Sequence, residues 1–452
     1  MKIFVSGCFL SGPAPQIHLI TDLLLALLYT LLLHPLAMKL LLLFAITHIT
    51  ITSIAFAAAH APQRIALDEL WYAAESRNYP EDPDTLFVTS RGKGLSAYNI
   101  TNPGQFSKLS SWSTTKAVEG QDRSGSLIVV AELGLGPDGP FDNNAKPMLH
   151  LLDVSLPLAP ELEPFVTLDL SPFIDGVLHV KFLRRGTGGG ETWAAVTGGF
   201  ATTTQGALVL VNLTRAVNCA CSPSTPLSAS EVVVVSTPIL QPEGVLVQSG
   251  FVYIGGIKSS SLCVVNATEP ASPSIVSTTK GVGMQLVAAT KMDQPRWPSA
   301  FPYDDADDLV FMAGWGSLGR LVVLNASKPE APKIVADTST FSDVELRMSN
   351  RMKLVFKSAG DGEWDYDVAL IPLEQRAGGF AVIDLSSAAK LDGDDLQVLK
   401  IVHVPLSELE NEAHNSKSYC LAVSSSRHVY VFIAESSAVY IYDLDEILNK
   451  EK

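Results

Sequence analysis

One phrase recurs seven times after residue 60, and its spacing constrains the fold more than any other feature of the chain. The phrase is an alternating apolar strand ending in Asp or Asn, usually with Ser or Thr two residues later. It reads LSAYNIT from Leu95, LHLLDVS from Leu149, LVLVNLT from Leu208 and LCVVNAT from Leu262. It returns as LVVLNAS from Leu321, FAVIDLS from Phe380 and VYIYDLD from Val439. The closing anchors Asn99, Asp153, Asn212, Asn266, Asn325, Asp384 and Asp443 are separated by 54, 59, 54, 59, 59 and 59 residues. Self-similarity at this period marks a repeat architecture, in which each unit buries its apolar faces on its neighbours.

Each copy has a second apolar strand upstream, such as TLFVTS from Thr85, SLIVVAE from Ser126 and FVYIGG from Phe251. Several have a third, earlier strand: GVLHVKF from Gly176, GVLVQS from Gly244 and YCLAVSS from Tyr419. Downstream comes a Pro-punctuated turn and one more strand, as in EPASPSIV from Glu269 and KPEAPKIV from Lys328. Four short strands per unit, bounded by Gly, Pro and Ser, predict an all-β chain. The predicted fold is a seven-bladed β-propeller of four-stranded antiparallel blades, preceded by an apolar N-terminal leader.

The chemistry of the phrase supports this. β-branched and aromatic residues suit a pleated strand between neighbouring blades. The terminal Asp or Asn can bond its own backbone two residues on, forming an Asx turn that Ser or Thr reinforces. The following Pro prevents helix and starts an outer strand at an edge, where a missing N–H is tolerated. Copy seven lacks that outer strand, and the stretch Pro62 to Leu67 (PQRIAL) is expected to supply it and close the ring.

The arrangement resembles the LVIVD-repeat propeller family, with LVVLNASKPEAPKIV from Leu321 and LCVVNATEPASPSIV from Leu262 as the nearest copies. The resemblance spans about residues 80–450 and implies a fold rather than an activity. The chain departs from it by carrying Asn in place of Asp at four anchors. The only Trp-Asp pair, Trp364 and Asp365, sits outside the repeat frame, so the repeats are not of the WD type.

The amino terminus is read as a leader. Residues 17–59 are almost wholly apolar, long enough for one or two membrane spans. From Met38, MKLLLLFAITHITITSIAFAAAHAP gives a short basic start, an apolar run and a small-residue tail at Ala57, Ala58 and Ala59. That layout resembles a secretory signal peptide over 38–59, with a membrane anchor as its alternative. Residues 1–37 then read as an over-extended start or a first apolar segment, and 60–452 as the propeller. The expected location is secreted or extracellular. The alternative keeps the propeller membrane-anchored outside the cytosol, with the anchor its only link to the membrane.

Hydrophobic residues make up 47% and charged residues 17%, which is ample for a packed domain. The net charge of −15, without a basic stripe, excludes a phosphate-tracking surface, so nucleic acid is not an expected partner. The cysteines Cys8, Cys219, Cys221, Cys263 and Cys420 contain no CxxC pair. Cys219 or Cys221 bridged to Cys263 or Cys420 competes with plain strand thiols, and spacing does not decide connectivity.

Acidic residues recur before the innermost strands: Glu119, Asp175, Glu243 and Asp343, with Glu412 and His414 at the last blade. In a propeller these junctions gather at one mouth of the channel, where carboxylates can hold a cation or a basic group of a partner. Blade five has Gln285 instead, and ordinary solvated turns are the competing reading. The loops SRGKG from Ser90, ELGLGPDGPFDNNAK from Glu132 and AGWGSLG from Ala313 should flank the same mouth. Trp315 in the last suits a sugar or peptide contact, or else packs between blades. RRGTGGGE from Arg184 lacks the Lys-Ser/Thr of a phosphate loop and reads as a hairpin tip. The acidic loops at Asp304, Asp361 and Asp392 lack EF-hand spacing, so no cofactor is expected, with calcium as the one allowed exception. The anchors Asn99, Asn212, Asn266 and Asn325 each open an N-x-S/T sequon and are glycosylation candidates. The same residues are what the turn itself needs.

There is no GxSxG elbow and no HExxH, and no catalytic residue is assigned. The expectation is a monomeric, non-enzymatic scaffold binding a protein, glycan or small ligand at the channel mouth. A metal-dependent propeller hydrolase or lactonase is the alternative, and a membrane-tethered surface protein a third reading.

Overall fold

The computed structural model describes residues 62–449 except 68–72, 80–81, 135–145, 156–157, 185–189, 200–205, 219–226, 257–258, 260, 281, 283–285, 289–308, 314–320, 339–351, 356–367, 374–377, 386–395, 405–417 and 434–437. The chain divides into two compact units, Met1–Pro62 and Gln63–Lys452, and every described element belongs to the second. The leader expected over residues 1–59 lies outside the described residues.

A short strand β1 (Gln63–Ala66) precedes blade 1, which is β2 (Ala73–Tyr79), β3 (Asp82–Ser90), β4 (Gly94–Asn99) and β5 (Ser107–Trp112). Blade 2 is β6 (Val118–Ser124), β7 (Leu127–Leu133), β8 (Pro147–Asp153) and β9 (Pro164–Asp169). Blade 3 is β10 (Val177–Arg184), β11 (Trp193–Gly198), β12 (Gly206–Asn212) and β13 (Val232–Thr237), with helix α1 (Thr214–Asn218) before its last strand. Blade 4 is β14 (Pro242–Gln248), β15 (Phe251–Gly256), β16 (Ser261–Asn266) and β17 (Ser274–Lys280). Blade 5 is β18 (Leu286–Ala288), β19 (Leu309–Ala313), β20 (Leu321–Asn325) and β21 (Lys333–Asp337). Blade 6 is β22 (Lys353–Val355), β23 (Val368–Pro372), β24 (Phe380–Asp384) and β25 (Gln397–Val402). Blade 7 is β26 (Ser418–Val423), β27 (His428–Ile433) and β28 (Ala438–Asp443), followed by helix α2 (Leu444–Asn449).

These strands form seven four-stranded antiparallel sheets. Six use consecutive strands, and the seventh runs β26-β27-β28-β1. The expected closure is therefore present: Gln63, Arg64, Ile65 and Ala66 pair with Ile441, Tyr440, Val439 and Ala438. The first strand of each blade is innermost. β2 packs on β6, β6 on β10, β10 on β14, β14 on β18, β22 on β26, and β26 returns to β2.

The period-two alternation of each middle strand sends successive side chains into the two neighbouring blade interfaces. Among the described residues seven large apolar clusters result, one for each boundary between adjacent blades, and a small eighth of Ala117, Leu133 and Leu178 also joins blades 2 and 3. In β3, Leu86 and Val88 face blade 7 while Phe87 faces blade 2. The seam between blades 7 and 1 also stacks Phe106 between Tyr98 and Tyr430, with centroids 4.9 and 5.7 Å apart. Cys263 is a free thiol buried between blades 3 and 4, where burial pushes it up to about 11 and Thr278 partly offsets that. Cys420 is buried in the seam between blades 7 and 1, and Cys219 and Cys221 lie outside the described residues.

The anchors behave as their chemistry demands. Oδ1 of Asn99 accepts from the Thr101 N–H at 2.9 Å and the Thr101 hydroxyl at 2.7 Å. The same turn forms at Asp153, Asn212, Asn266, Asn325 and Asp443, each accepting the N–H two residues on. In blades 1, 2, 4, 5 and 6 the pairing of third and fourth strands shifts register just before the anchor. No such shift occurs in blade 3, where α1 follows the anchor. A bulge adds local twist and turns the chain toward the outer strand, a task the helix performs otherwise.

Candidate functional site: the inner wall of blades 1 to 3

The innermost strands have an edge facing the channel, and an edge strand must satisfy its outward N–H groups. Two carboxylates do this from the preceding blade. Glu75 in β2 accepts the Gln121 N–H of β6 at 2.8 Å. Asp122 in β6 accepts the Phe182 N–H of β10 at 2.8 Å. Both carboxylates are also neutralised by cations on these strands. Arg77 Nε donates to Glu75 at 2.8 Å, Arg77 Nη1 lies 3.5 Å from Asp122, and Lys181 Nζ lies 3.3 Å from Asp122. The result is a charged seam, Glu75–Arg77–Asp122–Lys181, running across three successive inner strands. Hydrogen bonds to ionised groups in a low-dielectric setting are stronger than neutral ones, so the seam fixes the spacing of these blades.

A second layer supports the first. Thr89 receives the Glu75 N–H at 3.1 Å and donates its hydroxyl to the Glu119 carbonyl at 2.5 Å. Gln121 is 1% exposed and donates to the Phe87 carbonyl at 3.0 Å, while its Oε1 has no partner among the described residues. The Tyr79 hydroxyl has none either. Burial raises its pKa well above the usual phenol value; Asp122 and Glu75 reinforce the shift, and Arg77 and Arg123 oppose it. The guanidinium of Arg123 lies over the rings of Phe87 and Tyr79, 5.4 and 6.0 Å from their centroids. Behind this wall, within blade 2, His150 Nε2 meets Glu132 at 2.8 Å and Nδ1 meets Thr167 at 3.1 Å.

Glu119 lies inside β6, with its side chain 1% exposed and paired to Arg91 at 2.8 Å. Asp175 is exposed, in the connection from β9 to β10. Glu243 falls within β14. Asp343, Glu412, His414 and Trp315 lie outside the described residues, as do the acidic loops at Asp304, Asp361 and Asp392. The connection into blade 2 and the loop between β3 and β4 meet at one rim: Gly92 N–H donates to the Lys116 carbonyl at 3.0 Å, and Arg91 bridges Ala117. Among the described residues no three His, Cys, Asp or Glu side chains converge as a metal site would require.

Sequence alone does not mark Glu75, Arg77, Asp122 and Lys181. Charges interrupt the alternation of AAESRNY and VEGQDRS, so neither stretch reads as a strand. The regular repeat spacing was the available signal, since it requires an inner strand ahead of every second strand.

No protein-family model matches the chain, and no curated protein does. Solved structures do. The chain is similar to the β-propeller domain of Cps50 (Swd1) from Myceliophteria thermophila, with a TM-score of 0.50 and 10% identity over 84% of this chain and 99% of that one. It is equally similar to the WD40 β-propeller domain of Doa1, with a TM-score of 0.50 and 8% identity over 85% and 96%. At such identity the likeness establishes the propeller fold and nothing further.

Proposed function

We propose that the chain is an exported, non-enzymatic scaffold of the LVIVD-repeat type, which binds a partner protein at the mouth formed by the connections into each inner strand. The observation that carries this reading is the charged seam of blades 1 to 3. Each of its carboxylates is committed to a cation and to a backbone N–H, a wiring that rigidifies a wall and occupies both Glu75 and Asp122 in structural bonds. Binding surfaces are commonly carried by loops on a rigid frame, and the exposed Asp175 sits on such a loop. The mature chain is acidic, which favours a partner with a basic contact surface. Export rests on the leader from Met38 to Ala59.

The test uses a photo-crosslinking residue placed at Asp175 and, as a control, at the exposed Lys333 on the outer strand of blade 5. One dominant protein adduct from position 175 and none from 333 supports a mouth-binding scaffold. Equal labelling at both positions, or none at 175, refutes it.

A further inference from the structure

The anchor turns and the mouth lie at opposite ends of the ring. In each blade the anchor ends the third strand, so it shares an end with the turn joining first and second strands. The hydrogen bonds say the same. The N–H following the anchor donates back to that end in blades 1, 2, 3, 4 and 7: Ile100 to Asp84, Val154 to Ser126, Leu213 to Thr192, Ala267 to Gly250 and Leu444 to Arg427. The mouth connections, typified by the Gly92–Lys116 bond, occupy the other end.

Three of the sequons at the anchor end share a geometry. At Asn99, Asn266 and Asn325 the acceptor oxygen is consumed by the turn, at 2.9, 3.1 and 2.9 Å from the N–H two residues on. At Asn99 and Asn266 the sequon hydroxyl closes onto the same oxygen, at 2.7 and 2.8 Å. The amide Nδ2 of each has no hydrogen-bond partner among the described residues. Nor is it among the buried unpartnered side-chain atoms of the described residues. Each side chain is half-buried, and the residues two and three positions on are exposed. Asn212 differs, because Thr214 accepts the Thr192 N–H at 2.9 Å and starts α1.

We propose that Asn99, Asn266 and Asn325 carry N-linked glycans that cover the end of the ring opposite the mouth. This rests on the export reading above. The turn needs only the Asn oxygen, and the nitrogen left over is the atom a glycan bonds. In the transfer, an Nδ2–C1 bond forms as C1–O breaks in a lipid-diphosphate-linked oligosaccharide. The diphosphate leaves with the electron pair, and one Nδ2 proton passes to solvent. The two ends of the ring thus acquire different roles: one is sugar-coated, and the other stays bare for protein.

The full chain, made in eukaryotic cells with its own leader, is tested for protection by sealed secretory vesicles and then digested with peptide-N-glycosidase. Expected is a protected chain whose Asn99, Asn266 and Asn325 peptides convert to Asp, with one step of mobility lost in each of N99Q, N266Q and N325Q. Thr101→Ala, which keeps the anchor Asn, should lose the same step as N99Q and guards against a folding defect. A protected chain unmodified at all three sites overturns the glycan proposal and leaves export standing. A chain digested outside the vesicles overturns both.

Discussion

Ring closure through β1 makes a prediction that can be worked to a number. In an antiparallel pair, alternate N–H groups point at the partner and away from it. Of Arg64 and Ile65, which face Tyr440 and Val439, one therefore donates to β28 and the other faces outward. Proline placed at each in turn removes the N–H at that position. At the bonded position the loss is one ladder bond, with a β28 carbonyl left without its strand partner, for roughly 2 kcal/mol in total. At 1.4 kcal/mol per factor of ten, local opening of the seam becomes about 30-fold more frequent. Hydrogen exchange over 438–443 reads this directly, with β23 in blade 6 as an internal reference. The expected result is a roughly 30-fold acceleration for one proline variant, little change for the other, and no change in Val368–Pro372 for either. Equal exchange in both variants and the wild type would show that β1 does not close the ring.

Three further outcomes follow from local geometry. Gly379 has φ +101°, and a Cβ there would sit 1.8 Å from the Val402 carbonyl oxygen, so Gly379→Ala should cost roughly 2–4 kcal/mol in urea denaturation. A cost below 0.5 kcal/mol refutes that constraint. Asp122→Ala strands Lys181 and the Phe182 N–H, and should lose about 3 kcal/mol, whereas Asp122→Asn, which keeps an acceptor, should lose less. Equal losses would mean that the seam works by packing alone. For pH, burial raises the Glu231 carboxyl, but Arg215 and Ser228 outweigh it and hold it below the usual range. Burial likewise acts against Lys146 and Ser171 at Asp169, with the same net lowering. A folded pKa below the unfolded value gives stability that is complete above the unfolded carboxyl range of about 4 and is lost as pH falls through the folded value. Thermal melts of Glu231→Gln should therefore show a shallower acid limb than the wild type, and an unchanged limb refutes the assignment.

How much was readable in advance depended on distance along the chain. The anchor turn is local: Asn99 bonds Thr101 two residues away, so the residue types that make the bond appear side by side in the text. The second and third strands were legible because both of their faces enter apolar interfaces, which leaves them almost continuously hydrophobic, as LIVVAEL and LVLVN show. The closing strand was legible by subtraction, because copy seven lacks a fourth strand and a sheet edge must be covered. The bulge before most anchors was not, since register shifts arise from how two strands meet and not from either alone.

By itself, then, the sequence determined the number of blades, their strand order, the turn at six of the seven anchors and the strand that seals the ring. Tertiary structure alone decided the inner wall. The partners of Asp122 lie 45, 59 and 60 residues away, and Glu75 meets Gln121 across 46. Each such residue reads as a break in a hydrophobic pattern until the next blade arrives to neutralise it. Glu119 shows the same from the other side: read as a turn acid, it lies buried in a strand because Arg91, on the neighbouring blade, supplies its counter-charge at 2.8 Å. A buried carboxylate is stable only once its partner is in place, and that partner comes from the fold.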